Sequence, residues 1–178
     1  MEIAPEEIEK FRLQFEEQQR LGIELSQKEE IYKERITNNN LNLELKWQDK
    51  ITDIDTDFLF GRVQIDGFDN FEVNFTIEYL DIDRILNYHC ENDGKVFPKN
   101  KLWNTCRCDR KITELISYIE EGNTLCPPII DFTFVQLTNS EVFALYDGNH
   151  RIALSRFLKY DKIPFIIRKT NLERIKNI

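Results

Sequence analysis

The residues best suited to do chemistry form one short turn, Asp147-Gly148-Asn149-His150-Arg151. The residues before it alternate as in a strand and those after it have helical spacing, so the turn is predicted to join a strand to a helix. Gly148 permits a tight turn and the close approach of a ligand to the backbone, and Asp147 or Asn149 is expected to cap the helix. Since the first N–H groups of a helix lack helical partners and carry partial positive charge, this junction is a candidate phosphate site.

Two side chains of the turn carry separate expectations. Arg151 presents a permanently charged fork suited to phosphate oxygens and is the preferred phosphate ligand. His150 is a candidate acid–base group, but it projects toward the apolar stripe of the helix, so a partly buried structural histidine is a strong alternative. The whole turn has a structural alternative as well, a plain capped junction. An internal ion pair of Arg151 in a sealed corner would contradict the phosphate prediction.

The sequence around the turn resembles the ParB/sulfiredoxin superfamily. The resemblance covers about residues 72–170 and is strongest over 126–167. It is carried by Cys126-Pro127-Pro128-Ile129-Ile130, Phe143-Ala144-Leu145-Tyr146, the turn with Ile152-Ala153, and Lys162-Ile163-Pro164-Phe165-Ile166-Ile167. It implies a nucleotide pocket, with ATP, ADP or CTP and Mg²⁺ as ligand, in which phosphates are held by Gly148, Asn149, His150 and Arg151.

Members of this superfamily differ in chemistry. Comparison of this sequence with each group of members changes the role that the resemblance implies. Sulfiredoxins have a cysteine where Asn149 stands, so repair of cysteine sulfinate is not expected. Partitioning proteins continue into DNA-binding helices, whereas ten residues follow Arg168 here. Free-serine kinases of the superfamily place a catalytic glutamate shortly after the opening strand, which makes Glu91 a candidate general base beside Asp147 and His150. An ordinary surface glutamate is the alternative for Glu91.

Two functional hypotheses follow. In the first, a nucleotide-binding protein acts as a phosphotransferase or nucleotide hydrolase on a small acceptor. Asp147 or Glu91 would then be a base or metal ligand, and Arg151 would stabilise phosphate charge. In the second, the chain is a non-catalytic effector-sensing or protein-interaction module, or a DNA-associated nuclease-like or partitioning relative. The acceptor, whether a small molecule or a protein, is not specified by the sequence.

The charge distribution bears on the partners. The chain has 24 basic and 32 acidic residues, and its net charge of −8 disfavours nucleic acid. Residues 150–178 nevertheless contain 8 basic and 2 acidic side chains. That asymmetry indicates either an anion handled near this end or a solvated basic face. Arg107, Arg110 and Lys111 are candidates to complete an anion pocket, with a solvated helix start as the alternative.

The elements that must position the turn are predicted from periodicity. In the first half, an amphipathic helix over 6–20 is interrupted at Gly22, and a second helix runs from Ser26 to Arg35. Three strands then form an antiparallel meander: 41–47, 58–65 and 71–79. The second half is predicted to contain a loop from Cys90 to Asn104, a helix over 109–121 ended by Gly122, strands over 129–137 and 141–146, a helix to about Tyr160, and a strand over 163–168.

These elements predict an α+β fold. It is a small mixed sheet of the ParB/sulfiredoxin-like type with packed helices, preceded by an N-terminal helical arm and an antiparallel β meander. The expected division is a helix-plus-meander extension over residues 1–70 and the ParB/sulfiredoxin-like domain over 71–178.

Two further classes of protein are disfavoured. The four cysteines, with His89 nearby, lack the paired spacing of a structural zinc site, so no metal site is predicted and reduced thiols are expected. They are Cys90, Cys106, Cys108 and Cys126. No apolar run approaches ~20 residues and the N-terminus lacks the pattern of a signal peptide, so a cytoplasmic protein without a membrane partner is expected.

Overall fold

Helices pack on a four-stranded mixed sheet, so the predicted α+β class is confirmed. The structure is a computed structural model that describes residues 5–38, 40–56, 59, 68–93, 102, 109–135 and 139–178. The elements are α1 (Pro5–Thr37), α2 (Phe71–Asn74), β1 (Phe75–Asp81), α3 (Ile82–Asp93), α4 (Asp109–Glu120), β2 (Ile129–Val135), β3 (Ser140–Asp147), α5 (Asn149–Phe157), β4 (Lys162–Arg168) and α6 (Leu172–Lys176). Short 3₁₀ segments lie at Ile51–Asp53, Phe68–Asn70 and Lys169–Asn171.

The strand order β1-β4-β2-β3 explains the composition of the strands and the place of the turn. β4 pairs antiparallel with β1 and parallel with β2, and residues 163–167 within it are all buried. A strand covered on both faces has a continuous apolar sequence, as this one does. β3 pairs antiparallel with β2, and Asp147 lies opposite Ile129. The turn that follows β3 therefore lies at the start of β2, next to residues 126–128.

The core consists of three hydrophobic clusters. One face of the sheet packs on α3 and includes Phe132, Phe143 and Phe165. The opposite face is covered by Ile54, Leu59 and Phe71. A third cluster joins α1, α4 and α5 through Tyr32, Leu45, Ile112, Ile116 and Leu154. Two of the three clusters thus contain residues from both sides of position 70. The boundary placed there stays a prediction.

The second half agrees with the sequence prediction. α4 matches the predicted helix to within one residue, and Gly122 after it has a φ of 84°. The predicted strands agree with β2, β3 and β4 to within two residues at each end. The predicted loop from Cys90 to Asn104 begins too early, because α3 extends to Asp93. Its remaining residues lie outside the described ones, except the buried Leu102.

The break predicted at Gly22 is wrong. α1 is continuous over 33 residues, and the hydroxyl of Ser26 donates to the Gly22 carbonyl, 2.9 Å away, instead of capping a second helix. A single glycine costs about 1 kcal/mol relative to alanine, which a helix of this length tolerates. Despite the length of α1, no helix in the described residues is apolar enough over a sufficient length to cross a membrane.

The predicted meander is not observed in the described residues. Odd-numbered residues from 41 to 47 do turn toward the protein, but the backbone makes only an isolated bridge between Trp47 and Leu125. The alternation arises because this extended segment packs on helices, not because it joins a sheet. Residues 71–74 form α2, so the third strand begins at Phe75. The strand predicted over 58–65 lies outside the described residues, except Leu59, which is helical and fully buried.

Candidate functional site

The turn after β3 is shaped by a close contact between Gly148 and Pro128. Gly148 is the residue at which α5 begins, and its φ of 99° is left-handed. A Cβ atom built on it would lie 2.5 Å from the Cβ of Pro128. Glycine is thus required both by the backbone conformation and by the packing of a proline. The sequence favoured glycine at this position for a tight turn and for the approach of a ligand. The contact with Pro128 explains the glycine without a ligand.

Arg151 is held by the protein itself. Its Nη2 atom lies 2.5 Å from Oδ2 of Asp147, and Nη1 donates to the carbonyls of Cys126 and Pro127. The Arg151 side chain is 13% exposed. In this conformation the guanidinium is engaged by the protein, and its role as a phosphate ligand stays a prediction. The predicted cap is wrong, because neither Asp147 nor Asn149 caps α5, and the Asp147 carboxylate is paired with Arg151.

The corner beside this ion pair is open. A cavity of about 390 Å³ lies between α4 and the turn. From α4 it is lined by Lys111, Glu114 and Tyr118, and from the turn by Asp147, His150 and Arg151. One of the two conditions that would contradict the phosphate prediction, the internal ion pair, is met, but the sealed corner is not.

His150 and Cys126 flank the ion pair. His150 is half-buried with its Nε2 atom shielded from solvent, and it also contributes to the cavity. Both roles expected of it, partly buried histidine and cavity group, are compatible with this position. Burial raises the pKa of the Cys126 thiol, and the nearby charge of Arg151 partly opposes that increase. The thiol is therefore protonated at neutral pH.

The remaining predicted site residues do not join the turn in the described structure. Glu91 belongs to α3, but its side chain lies outside the described residues, as do those of Cys90, Cys106 and Cys108. Arg107 lies outside them too, and Arg110 pairs with Glu114 at 3.1 Å. The described residues contain no group of three His, Cys, Asp or Glu side chains arranged to hold a metal ion.

Most basic side chains of the C-terminal segment are paired with carboxylates. Five of its eight basic side chains form ion pairs with carboxylates that lie earlier in the chain. These pairs are Arg151–Asp147, Arg156–Asp83, Arg168–Asp131, Arg174–Glu141 and Lys176–Glu78. The charge asymmetry of the sequence thus serves pairing between the acidic body and its basic end. Neither an anion site nor a solvated basic face is needed to explain it.

Asp131 is the polar residue that the sequence analysis missed. It is only 1% exposed, and it accepts hydrogen bonds from Arg168, Asn171 and the backbone of Phe132. An aspartate inside an apolar strand is the one sequence signal that points to it, since a buried carboxylate needs partners. Arg168 is 37 residues away in the sequence, so no local pattern identifies it as the partner.

No family model, curated protein or solved structure matches the chain. The resemblance to the ParB/sulfiredoxin superfamily therefore stays a prediction based on the residues of the turn and its flanking strands.

Proposed function

We propose that the cavity between α4 and the turn binds a nucleotide, with a phosphate group at the start of α5, and that the protein is a binding module. The observation that carries this proposal is the open cavity of about 390 Å³ at the start of α5, where the N-cap residue is Gly148, which has no side chain to cap the helix. This volume lies within the range of small-molecule sites, toward its lower end.

The phosphate end of the ligand would be bound by backbone groups rather than by a free arginine. The first N–H groups of α5 and the helix dipole favour an anion at this position. Lys111, which is exposed on α4, adds a mobile positive charge across the cavity. Arg151 acts as a positioning residue, because its bonds to Asp147 and to the carbonyls of residues 126 and 127 fix the shape of the turn.

The charges of the lining explain why Mg²⁺ belongs in the proposal. Two carboxylates, Glu114 and Asp147, oppose the charges of Lys111 and Arg151, so the site has little excess positive charge for a triphosphate. Mg²⁺ is commonly held by one or two carboxylates together with substrate phosphates. Such an ion fits this lining only when it enters with the nucleotide, because no three-ligand group is present in the described residues.

A thermal-shift panel of ATP, ADP, CTP and GTP, with and without Mg²⁺, tests the proposal. A ligand present at 100 times its dissociation constant adds about 2.7 kcal/mol to the free energy of unfolding, which gives a clear rise in Tm. The absence of a shift with every nucleotide, confirmed by calorimetric titration, would contradict the proposal.

A charge-matched pair of variants tests the location. Lys111→Glu places a third carboxylate in the cavity and is expected to weaken nucleotide binding about tenfold or more. Lys162→Glu makes the same change of net charge at an exposed residue at the start of β4, outside the cavity. Equal weakening in the two variants would show that net charge, not this cavity, governs binding.

Measurement of turnover separates the binding module from the enzyme. Asp147 is paired with Arg151, so it is poorly placed to act as a general base. We therefore expect bound ATP to persist without hydrolysis. Release of phosphate that exceeds a no-protein control and is lost in Asp147→Asn would favour the phosphotransferase or hydrolase hypothesis instead.

A further inference from the structure

The N-terminal part of α1 carries an apolar face that no described residue covers. Ile8, Phe11 and Phe15 are 57%, 66% and 60% exposed. At 100° per residue they lie within about 60° of one another around α1, on a side adjacent to that of Tyr32, which is buried against α4. Gly22 and the half-buried Leu25 connect the two regions. We call residues 5–27 the arm, and its stripe consists of Ile8, Phe11, Phe15, Gly22 and Leu25.

The polar side chains of the arm are engaged within α1. Arg12 pairs with Glu9 and Glu16, and Arg20 pairs with Glu24. Among the described residues, these contacts and the Ser26–Gly22 bond connect α1 only to itself. Helices in proteins owe most of their stability to the packing of an apolar face. A long helix with such a face in water therefore indicates an interaction surface.

We propose that the arm pairs with the arm of a second copy of this chain, in an antiparallel two-helix arrangement formed by the stripes. This inference is independent of the proposed nucleotide site, since the arm contributes no residue to that cavity.

The stripe is complementary to itself in the antiparallel direction. Its residues occupy the two core positions of a seven-residue repeat, 8, 15 and 22 at one and 11 and 25 at the other, and Gln18 takes the remaining place, opposite Phe15 in the antiparallel register. Antiparallel pairing places Ile8 against Leu25 of the second copy and Phe11 against Gly22. A Cβ built on Gly22 meets nothing within 4 Å, so the space beside it accepts a phenyl ring. A parallel pair would place glycine against glycine and leave that space empty.

The position of α4 along α1 also favours the antiparallel direction. Just after the arm, Lys28 donates to Ser117, and Tyr32 and Arg35 bind Glu120, so α4 covers α1 from residue 28 onward. A parallel second helix would place the two copies of α4 at the same end of the pair. In an antiparallel pair, residues 28–178 of the second copy lie beyond the Pro5 end of the first.

The charges of the arm bear on its partner. Residues 5–27 contain six acidic and three basic side chains, so anionic headgroups repel the arm, and a second arm is favoured only where opposite charges meet at the edge of the stripe. In the antiparallel register Glu7 lies near Lys28 of the second copy, a favourable pair at the edge of the stripe.

Sedimentation of the full chain over a wide concentration range tests the pairing. The wild-type chain is expected to show a reversible monomer–dimer equilibrium. Phe11→Glu should weaken the dimer about 100-fold or more, because it places a charge in each half of the interface. Ile23→Glu is the control, since Ile23 is 61% exposed but lies outside the stripe. A wild-type chain that stays monomeric, or equal effects of the two variants, would overturn the proposal.

Cross-linking tests the register. A mixture of Ile8→Cys and Leu25→Cys chains is expected to form the mixed disulfide, identified by mass spectrometry of the joined peptides, far faster than either variant alone. Faster cross-linking of each variant with itself would overturn the antiparallel arrangement. Binding of a monomeric wild-type chain to vesicles of anionic phospholipid, abolished by Phe11→Glu, would overturn the proposal in favour of a membrane.

Discussion

Two Arg–Asp pairs include an aspartate of the sheet, and the two aspartates differ in burial. Asp131 of β2 is almost inaccessible and has three hydrogen-bond donors around it, including Arg168 at the end of β4. Asp147 at the end of β3 is 26% exposed, and its pair with Arg151 borders a cavity. The carboxylate of the first pair is enclosed by the fold, whereas that of the second borders the cavity. The arginines differ in the opposite sense, since Arg168 is 23% and Arg151 13% exposed.

The difference separates two uses of the same residue types. Both oxygens of the buried Asp131 carboxylate accept hydrogen bonds from the protein, so Asp131 links β2 to the end of β4 and the chain that follows. A partly exposed pair next to a cavity can exchange partners when an anion enters. The exposure of the aspartate, rather than the presence of an arginine, therefore indicates which pair lies at a candidate ligand site.

The largest expected effect comes from breaking the buried pair. Asp131→Ala leaves the guanidinium of Arg168, held against the Phe75 ring, without its carboxylate. Removal of one partner of a buried ion pair typically costs about 3–5 kcal/mol. Urea unfolding is expected to show a loss of that size.

The control for this variant is an exposed pair on the same sheet. Glu78 on β1 pairs with Lys176, and their side chains are 33% and 38% exposed. Glu78→Ala is expected to change the free energy of unfolding by less than about 1 kcal/mol. Comparable losses in the two variants would contradict the view that burial sets the strength of these pairs.

The turn beside the second pair gives the next effect. Gly148→Ala is expected to destabilise the fold by about 2–3 kcal/mol, because it adds a collision with Pro128 to the cost of a left-handed φ. Gly122→Ala isolates the backbone cost, since its φ is 84° and nothing lies within 4 Å of the added atom. That variant should lose about 1 kcal/mol. If thermal unfolding gives equal losses, the contact with Pro128 contributes nothing.

Asp147→Asn tests the partly exposed pair directly. The neutral amide keeps the size of the side chain, so a loss of about 1–2 kcal/mol is expected. It also removes one negative charge from the cavity, so the proposed affinity for ATP in the absence of Mg²⁺ should rise by several-fold. Calorimetric titration measures the dissociation constant. Weaker binding in this variant would place Asp147 itself among the ligand contacts.

Local patterns were sufficient to predict most of the second half of the fold. α4 and the strands around the turn combine clear periodicity with marked ends, such as Gly122 after α4, and each pattern agrees with the packing. The elements of the first half were predicted less well, because each of its sequence patterns has two physical explanations. The alternation over 41–47 reflects an extended segment on a helical surface, and Gly22 lies in a helix that tolerates it.

The sequence indicated the turn as the candidate site but did not specify the contacts of its residues. The turn from 147 to 151 does border a cavity, but the partner of Arg151 and the proline against Gly148 come from packing. The sequence contains Asp147 four residues before Arg151, a spacing that permits an ion pair at a helix start. The choice between that internal partner and an external anion depends on burial, which one sequence does not specify for residues in a turn.

The smallest expected effect is a change in the titration of Cys126, which senses both members of the second pair. Burial raises its pKa above the ordinary value near 9.0, Arg151 lowers it, and Asp147 raises it. Because the protonated thiol is favoured by the fold, its contribution to stability is complete below pH 9 and decreases as the pH rises further.

Alkylation of Cys126 by iodoacetamide, followed by mass spectrometry of its peptide, should therefore have a midpoint above pH 9.0. Arg151→Met should move this midpoint upward and Asp147→Asn should move it downward, because the two charges act on the thiolate with opposite signs. A shift in the same direction in both variants would mean that exposure of the thiol, rather than the charge of the pair, controls its titration.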